Sequence, residues 1–434
     1  MGTPSYRGLR RSRFSGSVLL VPGLLAVSCS ALLLAGQAFA EEAPKDARPP
    51  ASAETNSIPG TSTLPPLSAP LGSSEVVENP SLKVEVRLAI EKAHKFLTEK
   101  QNAEGWWSSK DYPAITALVL QGYLYEPTNE LRKKLPPHVA KGYDYILSCV
   151  KEDGGIYGKA LGNYNTSISI CALVAADDPK YNKAILDGRN YIIGQQSPKQ
   201  VAGGAHDPWA GGVGYGSHGP HSDLSNTTFA LEALYRSRYV LKGAEKSGAK
   251  ELDYDAAIDF LSRCQNLTAY NKEPWASDDA ANKGGFTYSP VESKAGEMEV
   301  GEGKKGLRSY GSMTYAGLMS FLHADMKKDD PRIVSAVEWL RRNYSVKENP
   351  NMGAQGLYYY YFTLTKSLSL ANIDVLEMPD GKKVNWRHDL AKELLNTQKA
   401  DGSWANEKGR WMESDPVLVT SYVILVLEMI ERRL

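Results

Sequence analysis

Apolar positions along this chain recur every 3 to 4 residues, the spacing of a helix face, and they come in pairs of unlike segments. The first segment of each pair is amphipathic. In AIEKAHKFLTEKQ (89–101) the charges of Glu91, Lys92 and Lys100 share a side, and in IVSAVEWLRRNYSV (333–346) Arg341 and Arg342 do so. The second segment is almost uncharged, as in AITALVLQGYL (114–124), TSISICALVAA (166–176) and PVLVTSYVILVLEMI (416–430). A helix that is apolar all round must be buried, so the second segments predict an inner layer and the first an outer one.

Six such pairs fit between residue 81 and residue 434, each with a glycine- and aromatic-containing turn between its two segments. Units that cannot bury a face alone must stack on their neighbours. The expected fold is therefore all-α: an α6/α6 toroid, or barrel, of six helix-pair repeats. An open superhelix would carry tighter periodicity and polar residues on both helices. In QNAEGWW (101–107) and QKADGSW (398–404) the glycine can take a left-handed conformation that ends the outer helix, and the tryptophan can pack on the adjacent turn. The glutamine can bond backbone groups freed there.

These two segments resemble the QW motif of the squalene-hopene cyclase and protein prenyltransferase superfamily. The weaker KEDGGIYG (151–158), GGVGYG (211–216) and GGFTYS (284–289) fall where that family places degenerate copies. The resemblance covers about residues 85 to 430 and implies the terpenoid cyclase α/α toroid. In the cyclases the proton donor lies in a DxDD motif at the start of an inner helix, and Asp223-Leu224-Ser225-Asn226 aligns with it. The first aspartate is kept as Asp223; the position of the protonating acid is Ser225 and the last is Asn226. Serine is no strong acid, so an intact DxDD acid is missing. The zinc ligands of prenyltransferases do not transfer onto SYGSMTYAGL (309–318) or Asp415, and the Cys-Gly-Glu-Gln segment of the thioester toroids is absent.

Composition narrows the partners. Lys plus Arg equals Asp plus Glu at 50 each, which leaves no electrostatic footprint for nucleic acid. The N-terminus carries Arg7, Arg10, Arg11 and Arg13, an apolar run from Val18 to Leu34, and Ala38-Phe39-Ala40. That reads as a signal peptide over residues 1–40 with cleavage after Ala40, hence an exported, periplasmic or extracellular protein without a transmembrane segment in its mature chain. A lipidated Cys29 and an uncleaved N-terminal anchor are the rival readings. Residues 41–80 are rich in Pro, Ala and Ser and predict a disordered linker. The remaining cysteines, Cys149, Cys171 and Cys264, lie in apolar runs and read as buried thiols, with a Cys149–Cys171 bridge as the alternative.

Candidate chemistry gathers where inner helices begin, because their N-termini should converge on one end of a toroid and favour a polar or anionic group there. Asp223 is the first candidate for an acid or ligand anchor, with His221 as its catalytic partner. His218, Ser225, Asn226, Tyr215, Tyr310, Tyr358, Tyr359 and Asp415 are the expected ligand-binding residues. Tyrosine is abundant, 24 against 8 phenylalanines, and of Tyr358-Tyr359-Tyr360-Tyr361 one or two should face inward while the others pack between helices. His218, His221 and Asp223 could hold a metal, but their spacing is loose, and turn and capping roles account for them; no metal or other cofactor is expected. The insert Glu292 to Lys305 reads as a flap over the mouth or a solvated loop. The leading expectation is a toroid that binds an isoprenoid or similar apolar molecule, as a squalene-cyclase-like isomerase if it is an enzyme. A glycan-active α/α barrel, lyase or hydrolase, and a non-catalytic binding or scaffold module are the alternatives.

Overall fold

The computed structural model describes residues 78–199, 206–216, 221–242, 249–301 and 303–434. The signal segment 1–40, nearly all of the 41–80 linker, Cys29 and His218 lie outside the described residues.

Twelve helices longer than two turns form six pairs among those residues. The outer members are α1 (Pro80–Lys100), α3 (Pro137–Ser148), α5 (Asn182–Ile193), α7 (Tyr254–Arg263), α9 (Pro331–Asn343) and α11 (Trp386–Thr397). The inner members are α2 (Pro113–Leu124), α4 (Gly162–Ala176), α6 (Leu224–Arg236), α8 (Gly311–His323), α10 (Leu357–Ala371) and α12 (Pro416–Glu431). Proline at the start of α1, α2, α3, α9 and α12 supplies a helical φ where no N–H is needed.

The two classes are buried as their patterns require. All residues of α2 and of α8 are buried, whereas α1 buries the stripe Leu82, Val86, Ala89, Ile90, Ala93, Phe96 and Leu97. The inner helices pack in cyclic order, α2 on α4, α4 on α6, and so on to α12, which returns to α2. The ring is closed, and the outer helices lie against it, α3 on α2, α5 on α4, α9 on α8 and α1 on α12.

The turns explain how each repeat docks on the next. Gln101 Nε2 donates to the carbonyl of Gly105 at 2.9 Å and to that of His138 in α3 at 2.8 Å. Gln196, Gln265 and Gln398 make the same pair of hydrogen bonds, the last reaching Gly402 and Ala89 of α1, both at 3.0 Å. Gly402 has φ +89°, and a Cβ there would lie 2.5 Å from the carbonyl oxygen of Lys92, so only glycine lets the sixth turn seat on α1. Trp107 and Trp404 are fully buried and donate from Nε1 to Leu97 and Leu394 at 2.6 and 2.9 Å. A further partner recurs that the turn sequences do not announce. The backbone N–H of Trp107, Ile156, Val213, Phe286 and Trp404 each donates to a threonine hydroxyl in the following inner helix: Thr116, Thr166, Thr227, Thr314 and Thr420, at 2.9–3.1 Å.

Among the described residues two hairpins interrupt the helical plan. The insert after the fourth turn folds as β1 (Glu297–Glu299) antiparallel to β2 (Lys305–Leu307), with Glu297 opposite Leu307. A second pairs β3 (Val375–Glu377) with β4 (Lys383–Asn385). Cys149, Cys171 and Cys264 are all buried free thiols, so the alternative bridge is not formed. No helix among the described residues is long and apolar enough to cross a membrane.

Candidate functional site at the inner-helix mouth

The first turns of the inner helices meet at one end of the ring, and their free N–H groups are satisfied largely by the repeat that follows. Asn165 Oδ1, in α4, accepts from Ala114 N–H of α2 at 3.0 Å. Asn349 Oδ1 accepts from Ser312 of α8 at 2.9 Å, and Glu413 Oε1 from Tyr359 of α10 at 2.8 Å. The carbonyl of Tyr215 takes the N–H of Asn163, and that of Tyr288 takes the N–H of Leu224. Asp223 and Asp415 cap their own helices, α6 and α12, as their sequence positions predict. Asp415 also accepts from the Ser108 hydroxyl, which ties the last repeat to the first.

Asp223 is the chemically distinctive group. Its side chain is buried, with Oδ1 accepting from the Asn226 N–H at 2.9 Å and Oδ2 from Asn226 Nδ2 at 2.8 Å. Asn226 is held in turn: Asn163 Nδ2 donates to its Oδ1 at 3.3 Å, and Ser167 Oγ to Asn163 Oδ1 at 3.0 Å. Burial pushes the Asp223 pKa up to about 6, against the Asn226 and Tyr288 hydrogen bonds and the Lys294 charge, all of which favour the carboxylate. Lys294, on the segment leading into β1, pairs with Glu292 at 2.6 Å and lies 4.3 Å over the Tyr288 ring. Burial lowers its pKa. Tyr215 and Tyr288 share a hydrogen bond at 3.0 Å.

Beneath the mouth four aromatic side chains meet across the ring axis. Tyr164 of α4 stands edge-on to Phe229 of α6 at 5.0 Å between centroids, and Phe229 lies 6.2 Å from Tyr359 of α10. Tyr359 is 6.3 Å from Tyr422 of α12, whose hydroxyl meets that of Tyr164 at 3.2 Å. The Phe229–Tyr359 contact passes over α8 and the Tyr164–Tyr422 contact over α2, while the other two join adjacent inner helices. Tyr164, Tyr359 and Ser225 stay partly exposed, and Ser225 bonds Tyr359 at 3.2 Å. Below them Phe362 packs on Tyr422 at 4.9 Å, and Lys366 lies 4.3 Å over Phe362 while pairing with Glu232. Arg236 reaches the other Glu232 oxygen at 2.8 Å. Burial alone would raise the Glu232 pKa, but the two cations outweigh it and hold it at about 2.

The structure thus brings together Asp223, Ser225, Asn226, Tyr215 and Tyr359 of the expected site. Tyr310 joins them as the residue preceding α8, buried, and close enough that Tyr359 and Asp223 add to the upward push of burial on its phenol. Three of the expected residues, His221, Tyr358 and Asp415, lie apart from this group. His221 is exposed and edge-on to Trp209 at 4.9 Å; the side-chain bonds to Asp223 come from Asn226 and Tyr288 instead. Tyr358 faces outward, against Tyr361 at 5.7 Å and Thr397 of α11, because the phase of α10 turns Tyr359 alone of the four toward the axis. Tyr360 and Tyr361 bond the carbonyls of Ser345 and Val346 at 2.7 Å. Asp415 serves as cap and seam. Among the described residues no group of three or more His, Cys, Asp and Glu could hold a metal.

Tyr164, Phe229, Tyr422 and Tyr288 escaped the sequence reading, although a register marks three of them. Tyr164 lies two residues before the repeat threonine Thr166, while Phe229 and Tyr422 lie two after Thr227 and Thr420. Aligning inner helices on that threonine places all three on the axis.

A closed ring of inner helices, sheathed by outer ones and docked through glycine–aromatic turns, is the terpenoid-cyclase-like α/α toroid fold. The chain matches no protein-family model and no curated protein. Among solved structures it is similar to a variant of the type II terpene cyclase MstE from Scytonema in complex with its product, merosterolic acid A. That match has 13% identity and a TM-score of 0.50, covering 82% of this chain and 100% of that one. A second MstE variant, in complex with its substrate geranylgeranyl dihydroxybenzoate, gives 13% identity and a TM-score of 0.48 over 82% and 100%. A protein from Actinoplanes gives 13% and 0.45 over 80% and 99%. At such identity the first of these likenesses establishes the fold alone.

Proposed function

We propose that this toroid binds an isoprenoid or a similarly apolar, elongated molecule at its inner-helix mouth. The ligand lies against Tyr359, Tyr164 and their ring partners, and the Asp223 carboxyl addresses its polar or unsaturated end. The observation that carries this reading is a buried carboxyl, its pKa raised to about 6, at the head of the helix whose Ser225 and Phe229 meet the aromatic cluster. Aromatic faces supply apolar contact and stabilise cationic character by about 0.5–2 kcal/mol each. Below its pKa, Asp223 is the acid of this group able to give up a proton, because Ser225 is a weakly acidic hydroxyl engaged with Tyr359. The shared fold with a type II terpene cyclase supports the same ligand class.

The test is native extraction of the full-length protein, with mass spectrometry of bound lipids and glycans. A co-purifying polyprenoid, lost in Asp223→Ala and in Tyr359→Ala, is the expected result. Retained glycan, or an empty protein of full stability, would overturn the proposal.

A further inference from the structure

We infer that the apolar ligand ends at the ring formed by Tyr164, Phe229, Tyr359 and Tyr422, so that the site takes short isoprenoids and discriminates against long ones. The inference rests on the isoprenoid reading and deepens it by fixing the length of the substrate class.

Two independent observations carry it. The first is the ring itself. Its members come from α4, α6, α10 and α12, and the circuit closes through the Tyr164–Tyr422 hydroxyl contact at 3.2 Å. A chain passing down the axis must break that hydrogen bond and separate rings packed at 5.0–6.3 Å. The second is what lies beyond. Immediately under the ring, Lys366 covers Phe362, and Glu232 joins Lys366 to Arg236. An apolar tail pushed to that depth would separate a buried ion pair without offering it any hydrogen bond, which is among the least favourable exchanges a protein interior can make.

The available depth follows from helix geometry. Asp223 and Phe229 lie six residues apart at the start of α6, about 9 Å at 1.5 Å per residue. Glu232 lies three residues further, about another 4.5 Å. A ligand whose head meets Asp223 therefore has the first prenyl units seated on Tyr359 and Tyr164 and no apolar room for many more. Ring residues set this limit without touching the reacting end, so they determine specificity for length.

The experiment is calorimetric titration of the full chain with geraniol, farnesol, geranylgeraniol and squalene. Affinity should be highest for geraniol, with farnesol, geranylgeraniol and squalene at least tenfold weaker. In Phe229→Ala/Tyr422→Ala the penalty on geranylgeraniol should disappear. If that variant does not fold, Phe229→Leu and Tyr164→Phe thin the ring with little loss of volume, and each should reduce the geraniol preference at least threefold. Parent affinity that keeps rising through geranylgeraniol and squalene would overturn the length limit and leave the isoprenoid reading standing. So would unchanged discrimination in the folded ring variants. Failure of every isoprenoid to bind the parent would overturn both.

Discussion

Asp223 caps α6 through Oδ1 and at the same time sits where ionisation is unfavourable. A pKa raised from 3.8 to about 6 means that the folded state holds the proton more tightly than the unfolded chain. This group's contribution is therefore intact below pH 3.8 and is lost as pH rises through 6, by about 3 kcal/mol in all. Asp223→Asn keeps a capping oxygen and removes the titration. Relative to the parent, its unfolding free energy in urea should improve by up to about 3 kcal/mol between pH 4 and pH 8. A difference that is flat with pH would show that the carboxyl is not desolvated. Glu232 has the opposite sign: its pKa of about 2 contributes stability above 4.5 that disappears as pH falls toward 2. Lys366→Met leaves this carboxylate short of one cation and should cost about 3–5 kcal/mol at neutral pH, whereas Glu232→Leu/Lys366→Met/Arg236→Leu, which removes all three charges, should recover most of that loss. Thermal melts of the two variants distinguish a paired charge from a merely packed one.

At the scale of elements, the repeat turn is a three-residue device: a glutamine that spans two carbonyls, a glycine that admits the next outer helix, and a threonine that accepts from the turn. Removing the hydroxyl in Thr420→Val leaves the buried Trp404 N–H without its acceptor and should destabilise by about 1–3 kcal/mol. Gly402→Ala forces a Cβ within 2.5 Å of the Lys92 carbonyl at a left-handed φ, and it should lower the melting temperature more than Thr420→Val does. Equal melting temperatures for the two variants and the parent would mean that the turn does not hold the seam. The glutamine and glycine were legible in the sequence because QNAEGWW and QKADGSW carry them at fixed spacing. The threonine was not, since the distance from turn to hydroxyl runs from 9 residues, Trp107 to Thr116, to 28, Phe286 to Thr314, with the β1–β2 insert between. The inner and outer layers were legible from charge alone. The phase of the tyrosine run was not, because four identical neighbours carry no periodicity, and only the packing of α10 selects Tyr359. Nor could Asp223's partner be read: His221 is adjacent in sequence, while Tyr288 arrives from the next repeat.

For the whole molecule the decisive fact is closure. Gln398 and Gly402 seat the last turn on α1, α12 packs on α2, and the Asn79 N–H donates to the Leu434 carbonyl at 3.2 Å. Residues 79 and 434 are thus adjacent, and a circular permutant joining them, with new ends at the exposed tip of the β1–β2 hairpin, should keep the parent's helical content and cooperative melt. Deleting Pro416–Glu431 should instead abolish the cooperative transition, because it bares the buried faces of α2 and α10 together. A truncated chain that melted like the parent would contradict a closed ring. The caps supplied across repeats have a temporal consequence as well. As the polypeptide leaves the ribosome, the entrance of α2 waits for Asn165, that of α8 for Asn349 and that of α10 for Glu413, each synthesised later than the helix it completes. Every nascent intermediate therefore carries one unfinished helix end at its growing edge, and the first repeat reaches its final bonding only when Asp415 arrives at Ser108.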